Sequence, residues 1–405
     1  MAIVTWIGAA SSHPQLDTLT VGSTTSGHTF ITTINGKAIT YTAGTGETVT
    51  TIAAAILALL QASNEGEFTE LTFAAGVTAG TLTVTGPADG APFTLSVSGG
   101  TGTYSRTGTT APISPHDAAT VTNYSGGALP SNGDHLVLER TNVSILYGLT
   151  ALAGISLASF TRKRSFTGQV GLPDTADGGY REYRTRELSV NAPIITVEQT
   201  GSDRAQQVRI LAVDADPVTM VVAGDGVASP LGSEAIEVRG LPADSTLTVI
   251  GASVAVATAA GTVATIDALT AHASTVRLGS GVTLDAATVR NATAQLDCTA
   301  TTLNVDGGTT IVGEAAATTN LAIDAGSVLW RSTGSPGTVV VGGGGQVDFS
   351  QAPAAVAVTA VTLNAGSGWF DPLGRVTADY DLVLNRCTVA EVGLDVGVGK
   401  TLTVN

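Results

Sequence analysis

Aromatic residues make up only 4% of this 405-residue chain and charged residues only 13%. A typical globular domain carries about a quarter charged residues, so small neutral side chains must cover much of this surface. The two cysteines, Cys298 and Cys387, are too few for a disulfide framework. Both fall in apolar, strand-like stretches and read as small buried fillers. Collagen is excluded, because the 49 glycines show no three-residue period and prolines number only 14. Wholesale disorder is excluded as well, since it needs dense charge with little hydrophobicity and hydrophobic residues reach 43%. No apolar run approaches the roughly 18 residues that span a bilayer; the longest, from Ile52 to Leu60, is about half that. The opening Met1-Ala-Ile-Val-Thr-Trp6 lacks a basic n-region, so no secretory signal is expected and synthesis in a reducing cytoplasm is.

What the chain has is Gly, Thr, Ala and Val, the composition of a turn-rich β protein. Its 33 acidic against 18 basic residues give a net charge of −15. That field repels phosphate backbones and anionic lipid, so neither nucleic acid nor membrane is expected as a partner.

Catalytic patterns are scarce. There is no Gly-x-Ser-x-Gly elbow and no His-Glu-x-x-His pair. Gly397-Val-Gly399-Lys400-Thr401 resembles the end of a phosphate loop, but Leu394 stands where its first glycine belongs. The scattered histidines His13, His28, His116, His135 and His272 offer no metal-ligand spacing. Asp214/Asp216 and Asp371/Asp381 are the carboxylate pairs open to a sugar-cleaving role, and turn formation is the commoner use of such aspartates. No catalytic residue, metal or cofactor is expected.

The first module begins with a hairpin signal. Alternating residues from His28 to Tyr41 flank Asn35-Gly36, the pair that tolerates positive φ at both centres of a type I′ turn. A helix follows from Glu47 and Thr48, with Val49, Ile52, Ile56, Leu59 and Leu60 on one stripe and an end near Ala62. Strands at 80–85 and 92–97 are expected to pair across Gly86-Pro87-Ala88-Asp89-Gly90. The result is a β-β-α-β-β module. The string INGKAITYTA…ETVTTIAAAILALLQAS…FTELTF…GTLTVTGPADGAPFTLSV resembles a small module common in virion proteins of tailed bacteriophages and prophages. That resemblance covers about a fifth of the chain and implies an assembly role without catalytic residues.

After this module (1–98) a Gly/Ser/Thr/Pro-rich stretch, 99–133, reads as a linker. Strand signals return over 134–244, which contains a basic segment, 160–209. Arg162, Lys163, Arg164, Arg181, Arg184 and Arg186 are its candidate docking residues, with Arg204 and Arg209 nearby and acids interleaved. Tyr180 and Tyr183 give it a superficial likeness to a nucleic-acid stripe, which the overall charge opposes. Arginine pairing with carboxylates on a neighbouring subunit fits better.

From 245 to 405 short strands recur: Val276–Leu278, Leu303–Val305, Leu321–Ile323, Val339–Val341, Val361–Leu363 and Leu382–Leu384. Their steps of about 18 to 22 residues, with one longer gap after Val276, match one turn of a solenoid. The expected fold is mainly β: a small α+β module, then a right-handed parallel β-helix. A meandering β-sandwich is the alternative. The expected function is that of a non-enzymatic virion protein, a capsid decoration protein or a tail fibre or spike component. Its partners would be other virion proteins and its own copies, as a trimer by analogy with other β-helix proteins. A glycan-binding or polysaccharide-degrading tailspike and a bacterial adhesin are the rival readings.

Overall fold

The computed structural model describes residues 1–99, 103–172, 183–199, 206–226, 229–313, 316–377, 381–386 and 401–404. The chain opens with β1 (Ile3–Trp6), β2 (Leu16–Val21) and the hairpin β3 (Thr29–Ile34) and β4 (Lys37–Thr42). Next come α1 (Val49–Ala62), α2 (Gly66–Thr69), β5 (Thr72–Ala75), β6 (Thr81–Thr85), β7 (Leu95–Gly99), β8 (Tyr104–Thr110) and β9 (His135–Leu138). Asn35 and Gly36 have φ of 48° and 90°, as a type I′ turn requires. α1 is started by a reciprocal capping box between Thr48 and Thr51 and buries Ile52, Ala53, Ile56 and Leu60. Glu47 lies just outside that box, where it accepts from Gly44 N and Tyr41 OH, both at 2.6 Å.

β6 and β7 do not form the expected hairpin. Both edges of β6 are taken by β5 and β2 in the sheet order β5-β6-β2-β8, so β7 pairs antiparallel with β3 in a second sheet. The turn at 86–90 therefore passes between two sheets. α1 packs with both over a core that includes Leu19, Phe30, Phe73, Leu82 and Val84. Tyr104, from β8 inside the stretch expected as a linker, stacks edge-on to Phe30 at 5.6 Å and shares a buried 2.8 Å hydrogen bond with Thr32. Burial holds its phenol up at about 12.

The rest is a parallel β-solenoid of about 11 turns over residues 135–385. Its register is a stack of identical inward positions. Leu136, Phe160, Ile195, Met220, Leu247 and Leu269 lie directly above one another. Ala287, Leu303, Leu321, Val339, Val361 and Leu382 continue the column. Every one of them is buried. A second side stacks Ile210, Val238, Val256, Leu278, Leu296, Val312 and Trp330. A third, shorter side stacks Leu284, Ala300, Thr318 and Pro336. One coil cannot enclose its own apolar side chains; neighbours above and below do so. In the lower coils Trp330, Phe349 and Trp369 fill the bore, with ring centroids 6.1 and 5.0 Å apart. Asn364 and Asn385 form a side-chain ladder step of 2.9 Å at a corner.

The ladder runs unbroken through residue 245, so the basic segment lies within coils rather than in a separate region. β1 adds to the first coil by pairing parallel with β9. Its outer edge is covered by the chain itself: Ile7 and Gly8 donate to Asn123 O, and Ser125 N donates to Thr5 O. Tyr124 packs edge-on to Trp6 at 5.3 Å. An open parallel edge would template pairing with other chains, and this cap removes it.

On the outside of the first side, two columns of short side chains run down the coils. One passes through Ile194, Thr219, Thr246, Ala268, Ala286, Thr302, Asn320, Thr338 and Ala360. The other passes through Thr161, Thr196, Val221, Thr248, Thr270, Thr288, Asn304, Ala322, Val340 and Thr362. None of these residues is ionisable.

Candidate functional site

The candidate docking residues go to different places. Arg162 stands in an inward column between Leu138 and Val197 and is 1% exposed. Its guanidinium donates to Glu198 O and lies 5.8 Å from the Phe166 ring centroid. Burial pulls its pKa down to about 10, against the pull of the Glu198 charge. Lys163 pairs with Glu198 at 3.3 Å, and Arg164 pairs with Asp225. Burial raises the Glu198 carboxyl, but the Arg164 N–H and the Lys163 ammonium outweigh it and hold the group below its usual range. Arg186 is 3.9 Å from Glu237, which also holds Arg209 at 3.0 Å. Arg181, with Tyr180 and Arg204, lies outside the described residues, as does Cys387.

Arg184 joins the two parts of the molecule. It donates to Glu70 at 2.9 Å and to Pro92 O at 2.9 Å, both in the α+β module. Its guanidinium sits 5.2 Å from the Tyr147 ring and 5.3 Å from the Tyr183 ring. Tyr183 OH also donates to Glu70, and Tyr147 OH donates to Asp89 at 3.0 Å. Sequence reasoning picked out Arg184 as an outward-looking cation and missed its partner, because Glu70 lies more than a hundred positions away.

Among the described residues, the solenoid wall carries a groove of about 1010 Å³. It is lined by Ser280, Gln295, Asp297, Ile311, Gly313, Arg331, Thr333, Gln351 and Pro353. These follow the inward column Leu296–Val312–Trp330, so equivalent corner positions of successive coils build the groove. Gln295 Nε2 holds both carboxylate oxygens of Asp297, at 3.1 and 2.9 Å. Gly313 leaves room for that carboxylate, which a Cβ would strike. Arg331 Nε donates to Gln351 Oε1 at 2.7 Å. The groove thus offers one carboxylate, one guanidinium, two amides and an apolar floor. Nothing in the sequence marked it, because its members recur only once per coil.

Of the carboxylates weighed from sequence, Asp381 opens the strand Asp381–Asn385 and accepts from Thr401 N at 3.0 Å. Asp371 accepts from Arg375 N at 2.7 Å and Val376 N at 2.8 Å, and Asp214 accepts from Asp216 N at 3.1 Å. Cys298 is a buried free thiol that burial, helped by the Asp297 charge, pushes up to about 12. Among the described residues no three His, Cys, Asp or Glu side chains gather to hold a metal. No described helix is long and apolar enough to cross a membrane. No protein-family model matches this chain, and no curated protein is significantly similar to it.

Proposed function

We propose that this chain is a non-enzymatic structural protein of a tailed phage or phage-like particle, a capsid decoration protein or a tail fibre or spike component that works by protein–protein docking. The supporting observation is the unbroken stack of inward apolar positions from Leu136 to Leu382, capped at its first coil and bolted to a small α+β module. A wall of regular coils with few charges resists bending and proteolysis, which suits a particle exterior. The reading takes the coil as right-handed, the hand of nearly all parallel crossover connections. It assigns the β3–β4, α1 and β6–β7 region to attachment. It leaves the exposed sides of Lys163 and Arg164 as the basic docking patch, since Arg162 and Arg184 are spent inside the chain. The protein would be made in the host cytoplasm and end in the virion. Immunogold electron microscopy of particles released by lysing source cells tests this: label on capsid or tail is expected, and label found only on free protein contradicts it.

The groove at Asp297 favours a second reading, a glycan-binding spike. Carboxylate, amide and guanidinium groups beside an apolar floor suit a polyhydroxylated ligand. Binding of capsular oligosaccharides that is lost in Asp297→Ala and Arg331→Ala would support it.

A further inference from the structure

The groove on the solenoid wall holds two opposite charges that do not pair with each other. Asp297, Gly313 and Arg331 directly follow Leu296, Val312 and Trp330 of one inward column, so they stand on three successive coils. Gly313 carries no side chain, and the Asp297 carboxylate leans into the space where its Cβ would be. Only about one coil interval, ~5 Å, then separates that carboxylate from the level of Arg331. Asp297 is nevertheless held by Gln295 instead, at 3.1 and 2.9 Å. Arg331 turns its Nε to Gln351 on the coil beyond, at 2.7 Å, and makes no ion pair among the described residues. What both bring to the groove is a guanidinium edge that only donates and a carboxylate that only accepts. A hydroxyl group set between them serves both, donating to the carboxylate and accepting from the guanidinium, and adds no charge of its own.

The same wall continues past the groove. Gln295, Ile311, Leu329, Asp348 and Phe370 stack in register on the outside of five successive coils, a run of four intervals or ~19 Å. The run begins with an amide, crosses two aliphatic side chains and a carboxylate, and ends on a phenyl ring that is 42% exposed. An open ring face beside carboxylate and amide groups suits a sugar, whose C–H face lies on the ring while its hydroxyls reach the polar neighbours. The charges along this path are Asp297, Asp348 and Arg331. Arg277, in register above Gln295, is already paired with Glu234 at 3.4 Å. Asp371, next after Phe370, is spent on the Arg375 and Val376 N–H groups. The path is therefore slightly acidic on a chain of net charge −15, which turns a polyanion away.

We propose that this wall binds an uncharged oligosaccharide lengthwise, with one ring over Gly313 bridging Asp297 and Arg331 and another lying on Phe370. The proposal rests on the glycan-binding reading of the groove given above. It adds the ligand's charge, its direction along the solenoid and a second point of contact.

Native affinity electrophoresis of the full chain is the test. The probe is surface polysaccharide extracted from the source cells and split on an anion-exchange column into uncharged and acidic fractions. The uncharged fraction should retard the protein and the acidic fraction should not. Phe370→Ala and Gly313→Ala should each weaken the affinity about tenfold, the first by removing the ring and the second by pushing the Asp297 carboxylate aside. Thr283→Ala, exposed on another side of the coil, should leave it unchanged. Should Gly313→Ala misfold, Arg331→Gln, at an exposed position, takes its place. Retardation by the acidic fraction, alone or equally, keeps the glycan reading and overturns the uncharged assignment. Retardation by the uncharged fraction that either groove or Phe370 substitution leaves intact keeps the reading and overturns the placement. Retardation by neither fraction overturns both.

Discussion

Arg162 occupies a position that its register partners Leu138 and Val197 give to aliphatic side chains. A buried base whose pKa is lowered costs stability at neutral pH, and the cost fades only as pH rises through its folded value of about 10. Replacing such a cation with an apolar side chain of similar reach is commonly neutral or favourable. Arg162→Leu is therefore expected to leave urea stability unchanged or raise it by about 1 kcal/mol, whereas Arg162→Ala should lower it by about 2 kcal/mol through the cavity it opens. Asp134 behaves oppositely. Hydrogen bonds from Ala2 N, first, and Ser131 N hold its carboxyl below the usual range. Its contribution is present above the unfolded carboxylate pKa and is lost as pH falls through the lowered folded value. Amide exchange in β1 should accelerate in that acid window, and Asp134→Asn should flatten the pH dependence.

At the scale of elements, the joint between module and solenoid is a partly buried ion pair, with Glu70 and Arg184 side chains only 15% and 12% exposed. Removing one partner strands the other, at a cost of about 3 kcal/mol. Glu70→Gln and Arg184→Met should each make the segments flanking the joint more sensitive to limited proteolysis, while leaving the solenoid core resistant.

What the sequence revealed at this scale depended on how local the signal was. The Asn35-Gly36 turn and the α1 stripe are set by neighbours and were legible. The pairing of β7 with β3 was not, since it depends on which sheet edges remain open. In the repeats, Leu303, Leu321, Val339, Val361 and Leu382 are one true column. Val276 belongs to another side, in register with Val254 and Ala294. The anomalous gap after it arose from that change of side. The proper predecessor of Leu303 is Ala287, whose single methyl gives a weak hydrophobic signal. Longer corner loops between Phe160 and Leu247 hid the earlier coils in the same way. The docking cations were visible as a cluster, but their intrachain partners were not, because coil stacking brings together residues from separate turns.

Over the whole molecule, the coils form one continuous body. A stack begun by β1 and β9 runs without interruption to the strand Asp381–Asn385, and its stability is a sum over neighbouring coils. The groove, the uncharged face and the module joint are all surfaces of that one body. Hydrogen exchange on the full chain measures this most directly, since amide protection follows cooperative units. Protection is predicted to be strong and even from β9 through Ala360–Asn364, declining only toward the last coils. Fast exchange across 135–244 beside slow exchange beyond 245 would contradict the account, because it would confine the solenoid to the C-terminal part of the chain.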